Sequence, residues 1–161
     1  MEPPRISPAV RTRRPRIRPL STRQSIVILE RNRVGRIAYV DGAHPGLIPV
    51  HYVLHEGVIV GRTSIGLKSL AWIEAPHVVF EVDEVDGTFD WQSVIVQGTI
   101  AVLRDFGSHH ERKRYWTAVN AFRAFIPEAM TERDPTPDRH IVFTIDPIEI
   151  AGRAASTRDG G

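Results

Sequence analysis

Apolar residues in this chain fall into short runs that end at glycine, proline or aspartate, a pattern typical of β-strands joined by tight turns. Strand-like runs occupy residues 35–40, 47–54, 58–62, 78–82, 91–103 and 140–150. Turn residues separate neighbouring runs at Asp41-Gly42 and at His55-Glu56-Gly57. Gly98 predicts a bulge or bend in the longest run, and Asp146-Pro147 predicts an interruption of the last one. The chain is therefore predicted to be mainly β.

Three helices are predicted among these strands. Ser21 and Gln24 have the spacing of a capping box, which predicts a helix that continues to about Arg31. A short helix is predicted at residues 69–73, ending before Pro76. Residues 109–126 carry aromatic and apolar side chains at helical spacing. We interpret that stripe as packing, either against the sheet or in a dimer contact.

Most predicted strands follow one another with only a turn between them. An antiparallel sheet closed into a small β-barrel, with α-helices packed outside it, explains this order best. Residues 83–90 contain four acids and are predicted to form a loop. We expect three parts: a disordered, basic Arg- and Pro-rich tail at residues 1–20, one barrel domain at residues 21–152, and a frayed tail at residues 153–161.

The charge of the chain is divided unevenly between the tail and the predicted domain. Residues 1–20 contain six arginines and one acid, whereas the whole chain carries a net charge of only +2. The predicted domain is therefore mildly acidic, which argues against a nucleic-acid-binding fold, because such a fold carries its basic patch on the domain itself. We expect no nucleic-acid partner, although the tail alone has the charge to touch an acidic surface.

Other functional classes are excluded by what the sequence lacks. The chain has no cysteine, so disulfides, thiolate metal sites and cysteine nucleophiles are ruled out. No apolar run approaches the ~18 residues that span a bilayer, and the N-terminus lacks the apolar segment of a secretory signal. The expectation is a cytoplasmic protein without a membrane partner. His109-His110-Glu111 does not predict a metal site, since adjacent helical residues face different directions.

The stretch from Gly57 to Lys68 carries the clearest chemical signal. An apolar strand ends in Arg62, Thr63 and Ser64, and Lys68 follows at the start of a predicted helix. Helix N-termini present unpaired N–H groups and a partial positive charge, so this arrangement suits a phosphate or another small anion.

Five stretches follow one another along the chain: residues 33–38 (RVGRIA), 48–52 (IPVHY), 62–64 (RTS) with Lys68, 79–83 (VFEVD) and 91–98 (WQSVIVQG). In their order and spacing, they resemble the flavin-binding, pyridoxamine 5'-phosphate oxidase-like family of split β-barrels. The resemblance extends over about residues 20–152, which include all of these stretches. The resemblance implies an FMN cofactor in a groove between the two subunits of a homodimer.

The resemblance also assigns cofactor-binding residues. Arg62, Thr63, Ser64 and Lys68 would surround the phosphate, with Arg62 making a bidentate contact and Lys68 acting as a point charge. The backbone and apolar groups that would line the isoalloxazine ring belong to Pro49, Val50 and His51. Two residues would approach from the neighbouring strand of the partner subunit, namely Trp91 and Ser93.

The residues taken alone leave plainer interpretations open. Ser64 suits a helix N-cap, His51 suits a hydrogen-bonded core or interface position, and Trp91 suits a core anchor. The sequence also departs from pyridoxamine phosphate oxidases proper, because Leu67 stands where they have a basic residue. We therefore do not expect pyridoxal-phosphate synthesis.

The predicted function is an FMN-dependent oxidoreductase that acts on a small-molecule substrate, with a reduced nicotinamide as a plausible electron donor. No catalytic side chain is identified, because the cofactor carries the redox chemistry in such enzymes. Two alternatives keep the same fold. One is a reductase that uses a deazaflavin coenzyme, and the other is a non-catalytic flavin- or haem-binding module.

Overall fold

A computed structural model describes residues 14–64 and 66–157, with only the backbone described for residues 67–70. Seven strands and three helices follow one another along this part of the chain. They are β1 (Arg16–Leu20), α1 (Thr22–Arg31), β2 (Val34–Asp41), β3 (His44–His55), β4 (Val58–Thr63), α2 (Leu67–Glu74), β5 (His77–Gly87), β6 (Asp90–Leu103), α3 (His109–Arg123) and β7 (Ile141–Ser156). No helix within this part of the chain is long and apolar enough to cross a membrane.

Six of the strands form a closed antiparallel ring. Their order is β7-β4-β3-β2-β5-β6, and β6 pairs with β7 to close it. The predicted small antiparallel barrel is confirmed, and its split β-barrel class agrees with the resemblance. Strand β7 is the longest element, and it pairs with β6 along almost its full length.

Local turn chemistry explains the two hairpins on either side of β3. Gly42 has a φ of 59° and is the first residue of the two-residue turn between β2 and β3. Glu56 and Gly57 both have positive φ and join β3 to β4. These are the conformations that two-residue hairpins require to match the twist of their strands. The turn residues seen in the sequence therefore set the register of β2, β3 and β4.

The interior of the barrel is filled by large apolar side chains. Trp72 from α2 packs edge-on against Phe143, with ring centroids 5.2 Å apart, and Tyr52 packs against Phe80 at 4.8 Å. Gly61 makes room for this packing, because a Cβ there would lie 2.3 Å from the Phe143 ring. A second core forms outside the barrel, where α3 covers part of the outer surface. Most of the aromatic and apolar stripe of α3 is thus used for packing, whereas Trp116 is 44% exposed.

The tails differ from the prediction. Residues 16–20 form β1 and pair with residues 152–156 of β7, so neither segment is disordered or frayed. Because the two paired segments are far apart in the chain, no local sequence pattern predicts their pairing. Proline lacks an N–H group, and Pro19 is tolerated because β1 is an edge strand. The remaining tail residues, 1–13 and 158–161, lie outside the described residues.

The predicted acidic loop is also wrong over most of its length. Strand β5 continues to Gly87, and only residues 88–89 form the turn to β6. The carboxylates are accommodated because arginines meet them on the same surface. Glu84 pairs with Arg31, and Asp83 pairs with Arg36.

Gly98 lies at an irregularity of the β6–β7 register, as predicted. A Cβ at Gly98 would lie 2.7 Å from the backbone oxygen of Asp146, so the close approach requires glycine. The predicted interruption at Asp146-Pro147 is wrong, because β7 runs through it from Ile141 to Ser156. The register skips Ile148 instead, so the irregularity is a bulge within a continuous strand.

Candidate functional site

Paired residues project to the same side of an antiparallel sheet, so the strand register defines rows of neighbours on the outer surface. One such row crosses β6, β7, β4, β3 and β2. In that order it contains Leu103, Val142, Arg62, His51 and Val34. The row begins buried beneath α3 and ends at Val34, which is 54% exposed. His51 is half-buried and lies on the border between the two environments.

The outer surface on the exposed side of this border carries several exposed apolar residues, and none of the three described helices covers it. We call it the open face, and it is formed by Val34, Leu47, Pro49, Val79 and Ile95 of β2, β3, β5 and β6. Leu47 is 65% exposed and Ile95 is 44% exposed. These exposed apolar residues share the surface with the Arg36–Glu81 ion pair, a mixture that is typical of interaction surfaces.

The outer surface on the other side of the border is buried, and we call it the covered face. It is formed by Val53, Val60, Leu103 and Val142, which pack beneath α3 and residues that follow it. The loop of residues 124–140 extends this cover beyond the end of α3 toward the border.

Arg62 holds that loop in place. Its Nη2 forms an ion pair with Asp134 at 2.8 Å and donates to the Thr136 carbonyl at 3.0 Å, while its Nε donates to the Arg139 carbonyl at 2.8 Å. The guanidinium also lies over the Phe122 ring, 5.4 Å from its centroid. Arg62 is only 2% exposed, so the side chain predicted to face a phosphate is buried beneath the loop instead.

Asp134 is held as a carboxylate at the other end of this ion pair. Desolvation alone would raise its pKa, but hydrogen bonds from the Met130 and Thr136 N–H groups and the charge of Arg62 outweigh it and lower the pKa. The Met130 N–H donates at 2.6 Å, and Met130 itself has a left-handed φ of 62°. Contacts at both ends of the ion pair therefore attach the loop to a buried pair of charges.

His51 contacts the same loop from the border. Arg139 Nη1 lies 2.9 Å from His51 Nδ1, and the His51 ring packs edge-on against Phe125 at 6.1 Å. Burial, followed by the charges of Arg139 and Arg62, lowers the pKa of His51 below its ordinary value. His51 is thus favoured in its neutral form, and its Nε2 has no hydrogen-bond partner among the residues that the structure describes.

Pro49, Val50 and Ser64 lie close to His51 but in different environments. Pro49 is exposed on the open face, whereas the Val50 side chain is buried in the barrel core. Only the backbone of Val50 is therefore open to a role beside a ligand. Ser64 is half-buried just beyond the end of β4, and continuing the β3–β4 register brings it opposite Pro49.

The remaining predicted phosphate residues lie at the connection from β4 to α2. Thr63 is buried and pairs with Ile141. The N-cap of α2 is Gly66, so the plainer interpretation of Ser64 as the cap is wrong. Lys68 is the second residue of α2, and its side chain lies outside the described part of the structure.

Trp91 and Ser93 are not brought to this site within one chain. Both lie on β6, three strand spacings from β3 around the ring, or about 14 Å. Ser93 Oγ donates to Glu81 Oε1 at 3.3 Å on the open face. Trp91 lines a separate cleft together with Arg18 and Asp90. Within one chain, these two residues therefore lie apart from the residues around His51.

A cleft of about 530 Å³ lies between β3 and α3, on the covered side of His51. Its wall includes Phe125, the ring that His51 contacts, and Arg33, whose Cζ lies 5.6 Å from that ring's centroid. The volume is within the range of small-molecule sites.

The sequence did not reveal the loop's contribution to this site. Asp134, Thr136 and Arg139 lie in a turn-rich segment more than 70 residues from Arg62. The only signal was Arg62 itself, a cation at the end of an apolar strand, which requires a partner wherever it is buried.

Solved structures with the same fold include three that cover most of this chain. An FAD-binding protein from Mesorhizobium loti is 26% identical, with a TM-score of 0.66, over 87% of this chain and 99% of that one. An FAD-binding protein from Mycobacterium smegmatis is 22% identical, with a TM-score of 0.60, over 85% and 99% of the two chains. An FAD- and haem-binding protein from the same organism is 20% identical, with a TM-score of 0.60, over 88% and 75%.

No curated protein sequence matches this chain significantly. The family model described as pyridoxamine 5'-phosphate oxidase matches residues 21–158, which is most of the chain and includes every strand of the closed ring. This chain therefore belongs to the pyridoxamine 5'-phosphate oxidase family.

Proposed function

We propose that this protein is a flavin-dependent oxidoreductase that binds FMN between the two copies of a homodimer. The observation that carries the proposal is the position of His51, half-buried at the border between the covered face and the open face. Family membership and the two FAD-binding structures from M. loti and M. smegmatis support a flavin.

The residues present fit a phosphorylated flavin, although two of the four residues assigned to the phosphate from the sequence, Arg62 and Thr63, are buried. Ser64 and the Lys68 position lie near the start of α2 and suit the phosphate, while the Pro49 and His51 region suits the ring. Arg62 holds the loop beside the site and is not assigned to the phosphate, since its Nε and Nη2 are both bonded to residues of that loop. Its buried Nη1 has no partner among the described residues, so the two N–H donors of this nitrogen remain unused.

The homodimer proposal is supported by the open face. Its exposed apolar residues are comparable in type to those that α3 buries on the covered face, and nothing in the described chain covers them. A second copy would bury them and bring its own Trp91 and Ser93 toward the groove. Arg36, which pairs with Glu81 at 2.9 Å, gives this surface a polar element as well.

A bound flavin would supply the redox chemistry, and the chain's own residues would bind and orient it. His51 would offer a hydrogen bond at the edge of the groove, and Pro49 would provide an apolar wall. The cleft of about 530 Å³ beside Phe125 is the space we assign to the small-molecule substrate. A reduced nicotinamide remains the proposed electron donor.

The absorption spectrum of the purified protein, with mass identification of anything it carries, tests this proposal directly. We expect a flavin spectrum, or its appearance after incubation with FMN. FAD and a deazaflavin are titrated in parallel, and tighter binding of either would replace FMN. Haem absorbance in place of flavin, or flavin binding with no turnover of a reduced nicotinamide and an acceptor, would instead favour the non-catalytic module.

The phosphate assignment is tested with the two lysines of the chain. Lys68→Ala should weaken FMN binding by about tenfold, because a charge-assisted contact is lost. Lys113→Ala is the matched control, since Lys113 is the chain's other lysine and is exposed on α3. Equal affinity of both variants for FMN would contradict the assignment, and riboflavin, which lacks the phosphate, should bind both equally.

A further inference from the structure

The contact between Arg139 and His51 restricts the chemistry of the histidine. Arg139 Nη1 lies 2.9 Å from His51 Nδ1, within hydrogen-bond distance. An arginine guanidinium has only N–H donors and stays protonated, so it cannot accept a hydrogen bond. Nδ1 must therefore be the acceptor, and it cannot carry a proton while this contact exists.

A neutral histidine carries one proton on its two ring nitrogens. Because Nδ1 accepts from Arg139, that proton must be on Nε2. Protonation of both nitrogens would break the Arg139 contact and place a cation between Arg139 and Arg62. His51 is consequently held as one tautomer that presents one donor, Nε2–H.

The position of Arg139 is itself fixed by the loop. The Arg139 carbonyl accepts a hydrogen bond from Arg62 Nε at 2.8 Å, and the Arg139 backbone N–H donates one to the Thr136 carbonyl at 3.0 Å. Arg62 is anchored in turn by the buried ion pair with Asp134 at 2.8 Å. A chain of contacts therefore runs from Asp134 through Arg62 to the backbone of Arg139, whose side chain ends on His51.

His51 Nε2 is available for an external partner. It has no hydrogen-bond partner among the residues that the structure describes, and His51 lies where the covered face gives way to exposed Val34. The charged groups around the ring come from β4, the loop and the start of β2, and they are Arg62, Asp134, Arg139 and Arg33. Asp134 is already paired with Arg62, so no free carboxylate among these groups competes for the Nε2–H.

We propose that Arg139 is a positioning residue that holds His51 as the Nε2–H tautomer, and that this N–H donates to an acceptor atom of the molecule bound beside it. The acceptor is a carbonyl oxygen or an unprotonated ring nitrogen, neutral or anionic. Its assignment to the flavin or to a substrate carbonyl rests on the proposed function. The tautomer itself does not, because it follows from the protein's own contacts.

The tautomer is measured by NMR on the full-length protein with ¹⁵N-labelled histidine, first without flavin. Long-range proton–nitrogen correlations separate protonated from unprotonated ring nitrogens, and the His51 signals are those lost in His51→Gln. We expect Nδ1 to be unprotonated and Nε2 protonated at neutral pH. A His51 that is protonated on Nδ1, or that exchanges between tautomers, would overturn the proposal.

The role of Arg139 is separated from simple packing by two variants. Arg139→Met keeps the aliphatic stem but removes the donors, so His51 should become a mixture of tautomers with a higher pKa. Arg139→Lys keeps a donor and a charge and should restore the wild-type nitrogen signals. Asp134→Asn, which leaves Arg139 intact but weakens its anchor, provides a second route to the same mixture. An unchanged His51 spectrum in Arg139→Met would contradict the positioning role.

The donor role is tested by titrating FMN into two His51 variants. Glutamine reaches as far as Nε2 and can still donate there, whereas asparagine reaches only as far as Nδ1. His51→Gln should bind FMN within a few-fold of wild type, and His51→Asn should bind about tenfold more weakly. Equal binding by the two variants would overturn the contact with flavin. If wild-type protein binds no flavin, the proposed function and that contact both fail, and the NMR result still decides the tautomer.

Discussion

The barrel has two outer faces that both carry outward-pointing apolar side chains, but these side chains are buried on one face and exposed on the other. On the covered face, apolar side chains are buried beneath α3 and the 124–140 loop. On the open face, similar side chains remain exposed, Leu47 at 65% and Ile95 at 44%. The strands themselves do not explain this difference, because apolar residues point outward on both sides. What differs is the cover, which the chain supplies on one face and which we expect a second copy to supply on the other.

The ion pairs of the two faces differ in burial in the same way as the apolar side chains. The ion pair of the covered face, Arg62 with Asp134, is almost fully buried. The ion pair of Arg36 with Glu81 on the open face keeps about half of the arginine exposed. Buried pairs are costly to break on one side, whereas exposed pairs contribute little. The comparison therefore predicts that one face controls folding and the other controls association.

The largest expected effect comes from breaking the buried ion pair. Arg62→Ala leaves the Asp134 carboxylate buried without its cation, and we expect a loss of about 3–5 kcal/mol in the free energy of unfolding, measured with denaturant. Arg31→Ala is the control, because Arg31 pairs with Glu84 at an exposed position and should cost at most ~1 kcal/mol. Similar losses in the two variants would contradict the assigned role of Arg62.

The next effect concerns association through the open face. Ile95→Lys should raise the dimer dissociation constant by about 100-fold, because each dimer would bury two additional charges. Val27→Lys is a matched control, since Val27 on α1 is also an apolar residue that is 44% exposed. Sedimentation should show dissociation only for Ile95→Lys. A dimer that tolerates Ile95→Lys as well as Val27→Lys would place the interface elsewhere.

A smaller effect on the free energy of unfolding is expected at the N-terminus of α3, the helix that covers one face of the barrel. Ser108 caps α3, its side chain accepting from the Glu111 N–H while the Glu111 carboxylate accepts from the Ser108 N–H. Ser108→Ala should lower the free energy of unfolding by about 1 kcal/mol, because one end of the capping box is lost. Ser93→Ala on the open face should change it less. Chemical denaturation of both variants checks this prediction, because Ser108→Ala should lose more unfolding free energy than Ser93→Ala.

The smallest effect is a pH dependence from His51. Its pKa is lowered in the folded protein by burial and then by Arg139 and Arg62, whereas the unfolded chain has the ordinary value of ~6.5. The unfolded state therefore binds more protons as the pH falls below ~6.5, and the folded state loses stability. His51→Gln should remove this contribution. Unfolding free energies compared between mildly alkaline and mildly acidic pH should show a steeper decline for wild type, and parallel curves would contradict it.

Local signals in the sequence predicted the parts of the fold that depend on neighbouring residues. The capping box at Ser21 and the turns at Gly42 and Gly57 each act over a few residues, and the structure forms all of them. These turns determine the β2-β3-β4 meander, whereas the ring is closed by pairings between strands that are distant in the sequence, such as β4 with β7.

Contacts between distant parts of the chain could not be predicted in the same way. Nothing near Arg62 indicates that Asp134 is its partner, and nothing in residues 16–20 indicates a strand that pairs with residues 152–156. The resemblance assigned Arg62 to a phosphate. Its partner in the structure is a carboxylate of the same chain, so the proposed function relies on His51 instead.

The shared cofactor site is tested most directly by sedimentation velocity on the purified protein, recorded at both the protein and the visible flavin absorbance after incubation with FMN. We expect one boundary with the mass of two chains that carries the flavin signal. We also expect that Ile95→Lys moves the protein to the mass of one chain and removes most of that signal. A wild-type boundary at the mass of one chain, or a dimer without flavin absorbance, would contradict the claim that the open face forms a shared cofactor site.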